Sequence, residues 1–183
     1  MNEQTGMIVL DGNYFWTREL FGHCKGHMDV MFLMPRDFRA MKAKEGAYRF
    51  DRVQPDSKKN VWYQYDSMPP GWLFGFPALS FKWMKHRIRD FIDSHDQIIF
   101  VSCYPHYLGF PNPKWKQVYY SIDDYSTYWP GKEDLTRTRE TEAIRMADLN
   151  ICVSDRRAQD FRAIRPDDST IHLPHGCFPE FMA

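Results

Sequence analysis

Short apolar runs alternate with helical patterns along this chain. We predict seven strands, at Met7–Leu10, Val30–Met34, Val61–Tyr65, Ile98–Cys103, Val118–Ile122, Leu149–Val153 and Thr170–Leu173. Runs such as Ile98–Cys103 are apolar throughout, which is typical of strands that are covered on both faces of a parallel sheet. Pro35 is expected to end the second strand, because proline cannot donate to a sheet ladder.

Four segments between these runs have helical patterns: Thr17–Cys24, Phe81–Ile92, Glu133–Ala147 and Asp155–Ile164. Acids in the first turn of the third favour a helix start, and Ser154 is the predicted cap of the fourth. The alternation predicts an α/β fold, a Rossmann-like parallel sheet with helices on both faces, in three α/β/α layers. We expect residues 1–183 to form one domain.

The amino-acid composition limits the functional classes to which this chain can belong. Hydrophobic residues make up 43% of the chain, which is enough for a packed core. Lysine plus arginine equals aspartate plus glutamate at 24 each, which argues against a nucleic-acid partner. The four cysteines show no paired spacing, no apolar segment approaches the roughly 20 residues of a membrane span, and residues 1–6 are polar. A cytoplasmic protein with reduced cysteines is therefore expected.

Asp123 and Asp124 follow the fifth strand directly. In open α/β sheets, ligands bind outside the carboxyl ends of the strands, where the strand order reverses. One interpretation is that one acid caps a turn and the other is solvated. The alternative is that one carboxylate acts as a base or stabilises charge, with its pKa raised by its neighbour. Two adjacent acids are a weak signal for a metal, and we predict neither a metal nor a cofactor.

Two further loops lie at the same predicted edge. Gly12 follows the first strand, where a glycine lets backbone N–H groups approach a phosphate, although GxGxxG is absent. His106 follows the fourth strand and could bind an acceptor or act as a base, whereas a surface histidine is the structural alternative. We interpret His23 with Cys24 and His27, and His172 with His175 and Cys177, as structural rather than metal-binding residues.

Positive charge is concentrated on the predicted helix Phe81–Ile92. Four cations lie near one tryptophan in this segment: Lys82, Lys85, Arg87 and Arg89, with Trp83. A basic amphipathic helix with tryptophan can lie on an anionic membrane surface. A solvated helix face explains the same pattern equally well.

Residues 118–181 resemble the second half of the N-terminal domain of group 1 glycosyltransferases, which are retaining enzymes of the GT-B fold with two Rossmann-like domains. The resemblance rests on the order and spacing of VYYSIDDYSTYW, MADLNICVS and IHLPHG. The matching residues are Asp123, Asp124, Tyr125, Ser126, Glu140, Ala147, Asp148, Ser154, Pro174, His175, Gly176 and Phe181. Residues 1–116 match more loosely, through a glycine loop and Phe15–Arg18.

The resemblance implies roles for individual residues. Asp123 would be catalytic, beside the transferred sugar, while Gly12 and Asn13 would approach the donor diphosphate. His175 and Gly176 would lead towards an interdomain linker. The implied acceptor-binding residues are Asp124, Tyr125, Ser126, His106, Trp16 and Arg18.

The donor-binding residues of these enzymes belong to a C-terminal domain that is not found in these 183 residues. The resemblance therefore implies an acceptor-binding N-terminal half that is inactive alone. Its implied partners are a nucleotide-sugar donor, held mainly by the other domain, and a glycan or lipid-linked acceptor. Contact with an anionic membrane at the inner face of the plasma membrane is also implied.

Two other functional classes stay open. Ile8–Gly12 resembles the first strand of haloacid dehalogenase-like phosphohydrolases, but that chemistry needs a second aspartate at position 13, where this chain has asparagine. The other alternative is a non-catalytic module that binds a nucleotide, a glycan or a protein through the same crevice.

Overall fold

The computed structural model describes residues 4–10, 15–37, 60–107 and 112–174. In these ranges seven strands form one all-parallel sheet with the order β3-β2-β1-β4-β5-β6-β7. The strands are β1 Thr5–Leu10, β2 Asp29–Asp37, β3 Val61–Met68, β4 Gln97–Ser102, β5 Lys116–Ser121, β6 Leu149–Cys152 and β7 Thr170–His172. This sheet confirms the predicted Rossmann-like α/β fold, and its order reverses between β1 and β4.

Helices lie on both faces of the sheet, in unequal numbers. The described helices are α1 Phe15–Gly22, α2 Pro77–Arg87, α3 Arg89–Asp93, α4 Glu133–Met146 and α5 Asp155–Ile164. Leu10 of β1 packs in one cluster with Phe81 of α2, whereas Val9 packs on the opposite face with Phe21 of α1. Tyr119 of β5 pairs with Ser102 of β4, which pairs with Leu10, so Tyr119 and Leu10 face the same side of the sheet. Tyr119 packs there with α4 and α5. Within the described ranges, α2 to α5 therefore share one face, and α1 covers the other.

The predicted end of β2 at Pro35 was wrong, because the strand continues to Asp37. β1 pairs with β2 only as far as Leu33, whereas β3 pairs with it as far as Asp37. Pro35 therefore lies where β2 has a single partner strand in the described structure. A residue without an N–H is tolerated at such a position.

The single helix predicted at Phe81–Ile92 was also wrong. α2 begins earlier, with Pro77 in its first turn, and Ile88 interrupts the helix with φ −112° and ψ 17° before α3 begins. A proline at a helix start was a usable signal. The apolar spacing nevertheless identified the buried positions, since Phe81, Met84, Ile88 and Phe91 all join one core cluster.

α2 docks against β3 through a buried charge. The Asp66 side chain is 1% exposed, and its Oδ1 lies 3.6 Å from Nε of Arg87 at the end of α2. Gln64 Nε2 also donates to Oδ1, at 3.2 Å. Oδ2 is buried without a hydrogen-bond partner in the described structure, and burial raises the pKa of Asp66.

A polar network joins α4, α5 and β5. The Tyr119 hydroxyl donates to Glu140 Oε1 at 2.8 Å, and Arg157 Nη2 donates to Ser121 Oγ at 2.9 Å while it also pairs with Glu140. The side chains of Glu140 and Arg157 are 13% and 18% exposed. Glu140, which the glycosyltransferase resemblance singled out, is therefore a structural residue that holds two helices and a strand together.

Two other residues of the resemblance also have structural roles. Asp148 accepts hydrogen bonds from the Gln117 N–H at 2.8 Å and from Lys116 Nζ at 3.3 Å, so it holds the start of β5. Ser154 Oγ accepts from the Arg157 N–H at 3.3 Å, which confirms the predicted cap of α5. The resemblance thus includes residues that the fold itself requires.

The Glu140→Ala variant should lower the free energy of unfolding by about 2–4 kcal/mol, because it leaves the Arg157 guanidinium mostly buried without its carboxylate. Glu142→Ala on the same helix is the control. It removes an exposed pair with Arg139 at 2.9 Å and should cost less than about 0.5 kcal/mol. Urea unfolding measures both values, and equal losses would contradict the role given to the buried network.

Candidate functional site

Segments that follow β4 and β5 lie at the carboxyl edge of the sheet, next to the reversal in strand order. A 3-10 turn, Pro105–Tyr107, follows β4, and a second, Tyr125–Thr127, follows β5. The first turn of α1 is close by, since Thr17 Oγ1 lies 4.0 Å from Cys103 Sγ just after β4. The structure therefore brings residues that are far apart in sequence to the predicted crevice.

Asp123 is exposed at this edge, but its carboxylate is held in place. Oδ1 accepts a hydrogen bond from the Asp124 N–H at 2.8 Å, and Oδ2 accepts one from the Tyr128 hydroxyl. Each carboxylate oxygen has two lone pairs, so both can accept another hydrogen bond. Asp123 thus presents an oriented carboxylate to solvent.

Asp124 has a different environment, although it is the next residue. Its Oδ1 accepts from the Ser126 N–H at 3.0 Å and from the Ser126 hydroxyl at 2.6 Å, so it caps the turn Tyr125–Thr127. The hydrogen bond from the Ser126 hydroxyl lowers the pKa of Asp124. This geometry supports the structural interpretation for Asp124. Tyr125 and Ser126 are both buried, and they shape the turn from beneath.

Trp129 is the centre of an aromatic cluster that supports this edge. Its ring centroid lies 5.3 Å from those of Phe74 and His106, 5.8 Å from Tyr104, 6.3 Å from Tyr125 and 6.0 Å from Tyr128. We call these six rings the aromatic cluster. Tyr128 belongs to it and also binds Asp123, so the cluster connects the exposed carboxylate to His106.

His106 is buried rather than on the surface. Its Nε2 lies 3.4 Å from Thr136 Oγ1 of α4, and Phe74 packs edge-on against its ring at 4.7 Å. Burial, together with the nearby Arg139, lowers the pKa of His106 to about 4. The imidazole is therefore neutral at pH 7 and can exchange hydrogen bonds without carrying charge.

An open groove of about 670 Å³ lies beside His106, between α2 and α4. The residues that line it are Leu73, Phe74, Pro77, Ala78, Phe81, Lys82, Lys85, His106, Leu135 and Arg139. None of these lining residues is acidic, and three are cationic. Sequence reasoning found His106, Lys82 and Lys85 separately. It missed the groove, since no local pattern links α2 to α4.

The remaining predicted site residues differ in how far they can be placed. Trp16, 45% exposed, and the half-buried Arg18 flank Thr17 in the first turn of α1, so they lie near the end of β4. Gly12, Asn13, His175 and Gly176 lie outside the described residues. The haloacid dehalogenase alternative rests on Asp11–Asn13 and is likewise outside them.

Among the described residues, no three histidine, cysteine, aspartate or glutamate side chains are grouped so that they could hold a metal ion. None of the helices in the described ranges is long and apolar enough to cross a membrane. Cys103 and Cys152, which the sequence placed in apolar runs, are free and buried.

Comparison with known proteins gives a likeness in fold. No protein-family model and no curated protein matches the chain in sequence. Among solved structures, UDP-N-acetylglucosamine 2-epimerase from Rickettsia bellii matches with a TM-score of 0.59 and 10% identity, over 95% of this chain and 45% of the epimerase. The chain therefore spans less than half of that protein. The likeness supports a GT-B-like Rossmann domain as the fold class.

Two further structures match less well. A short-chain dehydrogenase/reductase from Veillonella parvula has a TM-score of 0.43 and 8% identity, over 82% of this chain and 68% of its own. TubZ from Clostridium botulinum phage c-st has a TM-score of 0.43 and 14% identity, over 81% and 52%. At these TM-scores neither likeness is used to assign a fold or a function to this chain.

The burial of His106 predicts a pH dependence of stability. Its pKa is about 4 in the folded chain and about 6.5 when unfolded, so the unfolded state binds more protons between these values. Stability should therefore fall, by roughly 2–3 kcal/mol, as the pH decreases from 6.5 to 4. In His106→Gln this part of the slope should disappear, whereas the exposed His172→Gln control should retain it. Urea midpoints across this pH range measure the effect, and parallel slopes for all three proteins would contradict it.

Proposed function

We propose that this chain is the acceptor-binding domain of an enzyme that acts on a nucleotide-sugar, and specifically of a retaining glycosyltransferase. The GT-B-like fold and the motif around Asp123 support this proposal. The nucleotide-sugar would be held mainly by a second domain, and the acceptor would be a glycan or a lipid-linked sugar. On this proposal the chain alone binds ligand without turnover.

The observation that carries the proposal is the oriented carboxylate of Asp123. It lies exposed at the carboxyl edge of the sheet, and hydrogen bonds to the Asp124 N–H and the Tyr128 hydroxyl fix it. In glycosyl transfer, positive charge develops at the anomeric centre of the sugar. A carboxylate already oriented towards that position stabilises the charge without rearranging first.

The Asp123→Ala variant of the enzyme that contains this chain should reduce turnover by about 10²-fold or more, as loss of a positioned charge-stabilising group does. Tyr128→Phe should cause a smaller loss, because the carboxylate stays but loses one of its two hydrogen bonds. Asp160→Asn, at an exposed position of α5, is the control. Steady-state rates with a nucleotide-sugar test this, and wild-type turnover in Asp123→Ala would refute the assignment.

A non-catalytic module is the second candidate, and one observation favours it. Both oxygens of Asp123 already serve the local turn, so the carboxylate has a structural use without any reaction. If Asp123→Ala destabilises the fold and leaves turnover unchanged, this second function is the better one. Ligand-observed NMR of the chain with nucleotide-sugars then identifies what it binds.

We also propose that α2 contacts an anionic membrane, as the sequence suggested. Leu79 and Trp83 on α2 are 68% and 51% exposed, and Phe76, directly before the helix, is 61% exposed. The neighbouring cations are not equally available. Arg87 pairs with Asp66, and Arg89 lies 3.4 Å from Asp90. The apolar side chains and Lys82 would therefore contribute more than Arg87 and Arg89.

Changing Leu79 and Trp83 to glutamate should weaken co-sedimentation with phosphatidylglycerol vesicles severalfold. The change removes apolar area that would be buried in the vesicle surface, and it adds electrostatic repulsion. Met146→Glu is the matched control, because Met146 is also 51% exposed but lies on α4. If the wild-type chain does not sediment with these vesicles, α2 is a solvated helix.

A further inference from the structure

We propose that the groove between α2 and α4 binds an anionic amphiphile, a molecule in which a phosphate or carboxylate group is joined to an apolar portion. This rests on the proposed function, because it names the chemical class of the acceptor. Three properties of the groove support such a ligand: its positive charge, its apolar wall and its neutral histidine.

The charge of the groove differs from that of the chain. Lys82, Lys85 and Arg139 line it without an acidic lining residue, whereas the whole chain has equal numbers of acids and bases. Arg139 does have an acidic partner outside the lining, since its Nη1 donates to Glu142 at 2.9 Å. A guanidinium has five N–H donors, so Arg139 can bind Glu142 and an anion together. The groove is therefore suited to one negatively charged group.

Lys85 should attract an anion more strongly than a fully exposed lysine would. It is half-buried, its Nζ lies 5.1 Å from the centre of the Trp115 ring, and burial lowers its pKa. A charge that has lost part of its hydration interacts more strongly with an anion than one in bulk water does. An anion in the groove would therefore stabilise the ammonium form of Lys85.

The wall of the groove is mostly apolar. Phe81 is buried, Leu135 is 39% exposed, and Leu73 and Phe74 also line the groove. A volume of about 670 Å³ lies within the range of small-molecule sites. A bare phosphate would leave this wall in contact with water, whereas an attached apolar chain would cover it.

His106 contributes hydrogen bonding rather than charge. It lines the groove and is neutral at pH 7, so the positive charge comes from the two lysines and Arg139. A neutral imidazole can donate to one group and accept from another. This suits a ligand that carries hydroxyl groups near its anionic group, as a glycosyl acceptor does.

The proposal is tested by titrating the chain with monomeric dodecyl phosphate, below its micelle concentration, and with inorganic phosphate, followed by NMR. Dodecyl phosphate should bind at least about tenfold more tightly than phosphate. Arg139→Gln and Lys82→Gln should each weaken its binding by about tenfold, since each removes a charged donor. Arg145→Gln, on α4 but outside the groove, is the control and should bind like the wild type.

Leu135→Asn separates the two halves of the proposal. It should weaken binding of dodecyl phosphate and leave that of inorganic phosphate unchanged. Equal affinity for the two probes, or wild-type affinity in Arg139→Gln, would overturn the proposal. Arg139-dependent binding to phosphatidic acid vesicles would identify the ligand as a membrane lipid, whereas binding of the monomer alone would identify a soluble amphiphile.

This outcome is independent of the test of Asp123. If the wild-type chain does not bind dodecyl phosphate, the amphiphile proposal is rejected and the assignment of Asp123 is unaffected. If Asp123→Ala has wild-type turnover, the glycosyltransferase proposal is rejected, whereas ligand binding in the groove is unaffected.

Discussion

The parallel direction of all seven strands is the constraint on which the rest of this structure depends. It places every carboxyl end at one edge of the sheet, so segments that are distant in sequence meet there. Phe74 follows β3, Tyr104 follows β4 and Trp129 follows β5, and their rings are in contact only because those strands end together. The aromatic cluster in turn positions Tyr128, which orients Asp123.

The sheet could be predicted because strands that are covered on both faces, such as β1, are short apolar runs. All seven apolar runs are strands, and the errors lie at their ends, as with Pro35, where the number of partner strands decides whether a proline is tolerated. The break at Ile88 was not visible, because the apolar spacing continues through it and all four apolar side chains enter the same core.

The site was harder to predict than the sheet. Two adjacent aspartates look equivalent in sequence, and both are exposed. Only the structure shows that Asp124 caps the turn through Ser126, whereas Asp123 is oriented by the Tyr128 hydroxyl. His106 was expected at the right edge, but it contacts Thr136 of a helix 30 residues later, and Arg139 of that helix helps to lower its pKa. The groove follows the same rule, since α2 and α4 must pack on one face before it exists.

The buried carboxylate of Asp66 affects whether separate copies of this chain can associate through the border of their sheets. In the described part of the sheet, β3 is a border strand of eight residues, and such strands can recruit another chain through their unpaired backbone groups. An inward-pointing carboxylate with one unsatisfied oxygen makes a flat, fully paired extension of that border costly. Asp66 is therefore expected to act against aggregation by strand addition, a role that is separate from the ligand binding proposed for Asp123 and the groove.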